Sequence, residues 1–579
     1  MKKSMLVLLS AQLALAAALI LGCAHEPAQA ADPVYDVKAI LATPLNPETT
    51  KRTVKDGIVT EEVKFHSEMD GEKSVDIFAF FSYPEGGKNL PAFVWNQGGL
   101  YQANTYWTEF GARRGYAALC IDFPLPGYRS TGGYNITSNI DLNYTDPKQH
   151  PIYHGTVALL KAVSYLESRT DVVDKNRIGM CGSSWGGFYT TYMIGLDTRL
   201  KAGSAMFGCG SLQLGCSWFE GKPKDAEQAK KWAATLDPAL RLPETKTPMH
   251  WCATTNDNFY WMPALMDSYG RAGGPKHLAL LPNWDHALSP NLDDEIFAFL
   301  DVHLKGAPPL SEVTPVTVKK EGNGLVAQWN ASGPRKLKSA ELYISPGGDG
   351  NWRSRPWTVL PAMMVATGIG NITTVCSANL PASSMPYYVI GTVIDDSAYK
   401  SSTPLLRVDP ADFKMPATTA VPATDGCREW GDFEESRTKL PEDYAKWTDA
   451  DRAQHMKGYI PLHGYGCPPL SPDAHTGKQA AVITGSVGMP PARFIAGVPQ
   501  QISCWMKAEQ PAEVTIAFTE TADKQKYEAK KTFTVGTEWA QFTLDILPIA
   551  GYDTGATLTF TAPKDVKVLL DTVTLKPVK

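Results

Sequence analysis

Apolar and polar positions along this chain fall into three regimes. Two runs alternate: Val59-Thr60-Glu61-Glu62-Val63-Lys64-Phe65 and, after the turn Met69-Asp70-Gly71, Ser74-Val75-Asp76-Ile77-Phe78-Ala79-Phe80. A period of two puts successive side chains on opposite faces, so these runs predict two antiparallel strands. Short, mostly apolar runs follow at Pro91–Trp95, Gly115–Ile121, Arg177–Cys181, Leu200–Phe207, Met249–Thr254 and His277–Leu281. Such runs predict strands buried on both faces. Between them His150–Ser168 carries Val157, Leu160, Val163 and Leu166 at helical spacing, and further helices are expected at 188–193, about 225–235 and 292–304. Strands alternating with helices read as a mostly parallel α/β sheet with helices on both faces, over residues 35–308. Beyond Pro308 the helical period fades. Alternating runs predict an Ig-like β-sandwich over 312–410, a linker with Pro416 and Pro422 over 411–425, and a second all-β unit over 426–579.

Composition changes this picture little. With 43% apolar and 20% charged residues, the 579-residue chain is an ordinary multidomain globular protein. Its net charge of -5, with both signs interspersed, supplies no footprint for nucleic acid or an anionic membrane. The N-terminus does change it. Met1-Lys2-Lys3, an apolar stretch from Leu6 to Leu21 and a small-residue site make residues 1–30 an export signal. Ile20-Leu21-Gly22-Cys23 resembles a lipobox, which would anchor the protein by a lipid on Cys23. Ala28-Gln29-Ala30 is the competing site for ordinary secretion, and the lipobox is favoured because Cys23 closes the apolar run. The nine later cysteines include no C-x-x-C pair or cysteine-histidine cluster, which argues against zinc. Cys120, Cys181 and Cys252 lie in apolar runs and read as core; one or two disulfides remain open.

The chemistry centres on Gly182-Ser183-Ser184-Trp185-Gly186, a G-x-S-x-G string between an apolar strand and a helix. That context makes a nucleophile elbow, with Ser184 at the turn. A serine needs a base, and the base an orienting acid. In elbow enzymes the acid and then the histidine follow later strands. The run ending at Thr254 leads into Thr255-Asn256-Asp257-Asn258, and the run ending at Leu281 into Pro282-Asn283-Trp284-Asp285-His286. Asp257 is therefore the expected acid and His286 the expected base. Asp285 is a weaker rival, because it would have to fold back onto its neighbour's ring. The oxyanion hole is expected from the backbone N–H groups of Trp185 and of Gly99, in the Gly98-Gly99-Leu100 loop. Asp122 reads as a loop-shaping residue.

The elbow, the Asp122 loop, Asp257 and His286 together resemble the acetylxylan esterase and cephalosporin deacetylase family within the prolyl-oligopeptidase-like hydrolases. The Thr255–Tyr260 and Leu281–His286 stretches are also similar to PhoPQ-activated pathogenicity-related proteins. The resemblance implies an α/β-hydrolase acting on acyl esters without a catalytic cofactor. The departures are Pro124-Leu125-Pro126-Gly127-Tyr128-Arg129-Ser130, where those deacetylases carry R-G-Q-G-x-S, and Ala287 after the histidine, where they carry Glu. From about Cys427 the chain is similar to carbohydrate-binding jelly rolls of the family 4/9 type. The marks are Trp430-Gly431-Asp432-Phe433-Glu434, Ser503-Cys504-Trp505-Met506-Lys507-Ala508 and Leu570-Asp571-Thr572-Val573. That resemblance implies a structural calcium held by Glu434 and Asp571. Trp430, Trp447, Tyr459 and Tyr465, in less regular sequence, are the candidate sugar platforms, whereas Trp505 and Trp539 lie on apolar strand patterns and read as core.

The expectation is thus an exported serine esterase that removes acyl, above all acetyl, groups from polysaccharides or oligosaccharides. The rivals are an exported serine peptidase, whose usual β-propeller has no counterpart in the short lead-in here, and a non-catalytic sugar-binding protein on a hydrolase scaffold.

Overall fold

The structure is a computed structural model and describes residues 32–99, 101–134, 142–219, 226–282, 286, 292–346, 352, 355, 357–367, 373–383, 386–415, 470–478, 480–489, 499–522, 525–548 and 557–578. The export signal with Cys23 and residues 416–469 lie outside them.

A nine-stranded mixed sheet organises the first unit. Its strands are β1 (Glu48–Lys55), β2 (Ile58–Asp70), β3 (Lys73–Pro84), β4 (Leu90–Asn96), β5 (Ala117–Ile121), β6 (Val173–Ser183), β7 (Ala202–Met206), β8 (Met249–Thr254) and β9 (Lys276–Leu281). Their spatial order is β1-β2-β3-β5-β4-β6-β7-β8-β9. The first three strands pair antiparallel, as does β3 with β5; every pair from β5 to β9 is parallel. The helices are α1 (Val37–Ala42), α2 (Tyr106–Arg113), α3 (Pro151–Ser168), α4 (Trp185–Leu196), α5 (Glu227–Thr235), α6 (Met262–Arg271) and α7 (Leu292–Lys305).

The period-two geometry of a strand explains why the central runs are mostly apolar. In β4, Ala92 and Val94 join the core under α3 and α4, while Phe93 and Trp95 join the opposite core with Trp107 of α2 and Phe297 and Leu300 of α7. Both faces are covered, so no position is left facing solvent, and Ser204 and His250, two of the few polar side chains there, pair with each other at 2.9 Å. The sequence expectation omitted β1, α1, α2 and α6. Every residue of β1 is exposed, so this edge strand carries no alternation to read. The three helices run only 6, 8 and 10 residues, too short for a period to establish itself.

The second β unit is a single antiparallel path of strands between Glu312 and Ser402, with side pairings from Thr317–Glu321 and Leu406–Val408. It has a core of its own around Trp329, Leu342, Ile344 and Cys376. Its strand Tyr387–Asp395 serves two masters: Tyr387 and Val389 enter that core, while Tyr388 and Ile390 enter the core of the α/β sheet. Trp352 and Trp357 follow Tyr388 into the α/β core. Residues 411–415, expected to begin a linker, are instead attached to this unit. Phe413 and Met415 pack on its core, and Lys320 Nζ donates to Lys414 O at 3.2 Å.

Beyond residue 469, a five-stranded and a four-stranded antiparallel sheet share one core that includes Ile502, Cys504, Ile516, Phe518 and Phe560. The seven described cysteines are buried, and no disulfide joins any two of them. Among the described residues no helix is long and apolar enough to cross a membrane.

The α/β sheet and the second unit are also joined by polar contacts. Leu280 N, on edge strand β9, donates to Ser402 Oγ at 3.0 Å. Glu295 of α7, 1% exposed, accepts from Lys400 N at 3.1 Å and pairs with Lys400 Nζ at 3.3 Å. Burial raises the Glu295 carboxyl above its usual range, with Lys400 opposing. A raised carboxyl keeps its proton in the folded protein at pH values where the unfolded chain has lost it. Its contribution to stability therefore falls as pH climbs past the ordinary glutamate value. Lys400→Met removes the opposing cation, and should cost about 3–5 kcal/mol near pH 7 and clearly less near pH 4.5. Denaturant unfolding at both pH values measures this, and equal losses would exclude Glu295 as the cause.

Candidate functional site

The site forms where β6 ends and α4 begins. Ser184 has φ 58° and ψ -118°, a conformation that side chains other than glycine rarely adopt. Two glycines make room for it. A Cβ at Gly182 would stand 2.5 Å from Asn96 O, and one at Gly186 2.0 Å from the same oxygen, so the backbones of β4, β6 and α4 approach as only glycine allows. Ser184 N donates to Met206 O at 2.8 Å, which ties the turn to β7.

The loops after β8 and β9 bring the partners in. Ser184 Oγ lies 2.7 Å from His286 Nε2, and His286 Nδ1 lies 2.8 Å from Asp257 Oδ2. A carboxylate has no proton to give, so Nδ1–H donates to Asp257 and leaves Nε2 to accept from the serine hydroxyl. Asp257 is 2% exposed, and its other oxygen accepts from Phe259 N at 2.7 Å and Tyr260 N at 2.8 Å. This relay can take a proton from Oγ as the oxygen attacks a carbonyl carbon. The rival Asp285 lies outside the described residues.

The loop after β4 faces the elbow. A Cβ at Gly98 would stand 3.7 Å from Ser184 Cβ, and one at Gly99 3.8 Å from Trp185 Cβ; Leu100 is not among the described residues. The far end of this loop is held by Asp122, which is fully buried at the end of β5. Asp122 accepts from Ala103 N and from Arg129 Nε, the latter at 2.7 Å, while the Arg129 guanidinium lies 4.2 Å over the Phe78 ring.

Several neighbours were not singled out in the sequence. Phe207 (φ 52°) and the exposed Phe259 put their rings 5.3 and 4.8 Å from His286. Trp218 meets both Trp185 and Tyr260 edge-on. Burial pushes the Tyr260 hydroxyl well above its ordinary value, so it stays protonated. Aromatic residues beside a triad have no spacing of their own, and only the folded loops bring them together.

The C-terminal candidates fare differently. Trp430, Glu434, Trp447, Tyr459 and Tyr465 lie outside the described residues. Asp571 is fully buried, and its carboxylate accepts from His475 N at 2.7 Å, Thr476 N at 2.9 Å and Thr572 N at 2.7 Å. Among the described residues no group of three or more His, Cys, Asp or Glu side chains is placed to hold a metal ion. Trp505 and Trp539, read as core, are instead half-buried on the outer face of the five-stranded sheet. Ile502, Cys504 and Met506 face the core, so a period of two turns Trp505 outward, where His475 stacks on it at 3.7 Å. Trp539 packs on a small separate cluster of Ala480, Val482 and Leu569.

The elbow's tight approach has a direct test. Gly186→Ala should destabilise the protein by about 3 kcal/mol or more, because the contact is with backbone that cannot rotate away. A variant melting at the wild-type temperature would contradict that close approach.

No family model matches the chain, nor does any curated protein. Among solved structures, the chain is similar to an acetyl xylan esterase from Paenibacillus sp. R4, with 20% identity over 46% of this chain and 92% of that one and a TM-score of 0.41. It is similar to acetyl xylan esterase 1 from Thermoanaerobacterium sp. JW/SL YS485 at 15% identity, covering 47% of this chain and 94% of that one, with a TM-score of 0.40. An S-formylglutathione hydrolase from Agrobacterium tumefaciens matches at 14% identity over 44% of this chain and 99% of that one, with a TM-score of 0.34.

Proposed function

We propose that this protein is an exported serine esterase of the α/β-hydrolase type that removes acyl groups, chiefly acetyl, from polysaccharides or oligosaccharides. The observation that carries the reading is the hydrogen-bonded chain from Ser184 through His286 to Asp257, with the serine on a strained elbow. Ser184 Oγ attacks the ester carbonyl and its proton passes to His286 Nε2. The carbonyl oxygen, now an anion, takes hydrogen bonds from the Trp185 and Gly99 N–H groups. Collapse breaks the bond to the alcohol, which leaves with the proton from His286. Water then repeats the sequence on the acyl-enzyme, yielding the free acid and Ser184. Asp257 holds the imidazole in the tautomer this requires.

The sugar substrate is supported by the resemblance of the C-terminal unit to carbohydrate-binding jelly rolls, in which Glu434 and Asp571 would hold a structural calcium. Residues 1–30 would direct export, with a lipid on Cys23 as anchor.

A fluorophosphonate probe should label the wild type once, at Ser184. Ser184→Ala should lose the label and about 10⁶ in kcat. Asp257→Asn should stay folded and lose about 10⁴, far more than Asp285→Asn. Labelling elsewhere, or the reverse ranking of the two aspartates, would remove the assignment. Assays with acetyl esters, feruloyl esters and aminoacyl anilides separate an esterase from a peptidase.

A chain ending at Met415 should hydrolyse a small soluble ester at close to the full-length rate. On an insoluble acylated polysaccharide it should turn over more slowly, because the C-terminal unit raises local concentration there. Equal rates on both substrates would rule out targeting by that unit.

A further inference from the structure

Asn256 stands directly before Asp257 and is fully buried. Its Oδ1 accepts from Thr255 Oγ1 at 2.8 Å, and its Nδ2 donates to the backbone oxygen of Arg355 at 2.8 Å. Trp352 O lies a further step away, at 3.5 Å from the same nitrogen. Arg355 belongs to the second β unit, 99 residues along the chain. It does not reach the acid loop as a loose end. Its guanidinium, on a residue 5% exposed, lies 4.6 Å over the Trp352 ring and 5.0 Å over Tyr388, and both of those rings belong to the α/β core. On the opposite side, Ser217 N donates to Phe259 O at 3.1 Å. The loop presenting Asp257 is thus gripped between its own unit and the neighbouring one.

We propose that Asn256 is a positioning residue, and that through it the second β unit forms part of the active site by fixing the loop that presents Asp257 to His286. The inference rests on reading Ser184, His286 and Asp257 as the catalytic relay. Neither Asn256 nor Arg355 touches the reacting atoms, so their effect falls on the rate of the chemical step and not on substrate binding. A misplacement of about 1 Å at a catalytic group lowers turnover up to roughly 10²-fold.

The test uses the full chain and a soluble ester. Asn256→Ala should lower kcat by roughly 10- to 100-fold with KM near the wild-type value. Arg355→Ala, which releases the segment carrying the acceptor oxygen, should do the same. The double variant should be no worse than the poorer single one, because both changes cut one connection. Ser402→Ala, which severs the same pair of units at the Leu280 contact, should keep the wild-type kcat. Folded Asn256→Ala with wild-type kcat, a loss confined to KM, or losses that multiply in the double variant would overturn the proposal. Should Asn256→Ala not fold, Asn256→Ser and Arg355→Ala are judged by the same criteria. A wild type that takes no fluorophosphonate at Ser184 refutes the relay itself. A labelled wild type with indifferent Asn256 and Arg355 variants refutes only this inference.

Discussion

Everything near the site depends on one close approach, that of the Gly182 and Gly186 backbones to the carbonyl oxygen of Asn96. With no Cβ in the gap, β6 can end beside β4 and turn at once into α4. The turn forces Ser184 to a positive φ, and a residue so strained persists only where its surroundings overdetermine it. Here they do. Met206 O holds its N–H, Phe188 N holds its carbonyl, and α4 is buried along its whole length. The strain aims Oγ out of the sheet toward the two loops that supply His286 and Asp257.

Those loops show a division of labour between short-range and long-range order. Asp257 is oriented locally, because the N–H groups of Phe259 and Tyr260 close a turn on its carboxylate. The placement of that turn as a body is non-local, set by Ser217 on one side and Arg355 on the other. The Asp122 and Arg129 pair does the equivalent for the glycine loop after β4, stapling its far end at Ala103.

This division explains what could be read from the chain. The buried strands and the long helix α3 declare themselves through periodicity, and the elbow through glycines at fixed offsets. Asp257 and His286 could be named because each follows a readable strand by a few residues. The aromatic surround of Phe207, Trp218 and Phe259 and the Asn256–Arg355 bond had no such marker, since they join loops distant in sequence. Trp505 shows the opposite hazard: its apolar run suggests core, yet a strand with one buried face must turn every second residue outward. The attachment of residues 411–415 is hidden from the sequence for a related reason. Composition marks where prolines begin, whereas attachment depends on what Phe413 and Met415 touch.

The strand Tyr387–Asp395 carries a consequence for how the molecule comes into being. Its two faces complete two different cores, and the chain just beyond it, at Lys400–Ser402, covers edge strand β9. During synthesis the α/β sheet therefore emerges with an open edge and an unfilled flank, a template on which another copy could pair. That exposure ends only when the residues near 400 have been made. The α/β sheet consequently shares its core and its edge with the second β unit and is no detachable module.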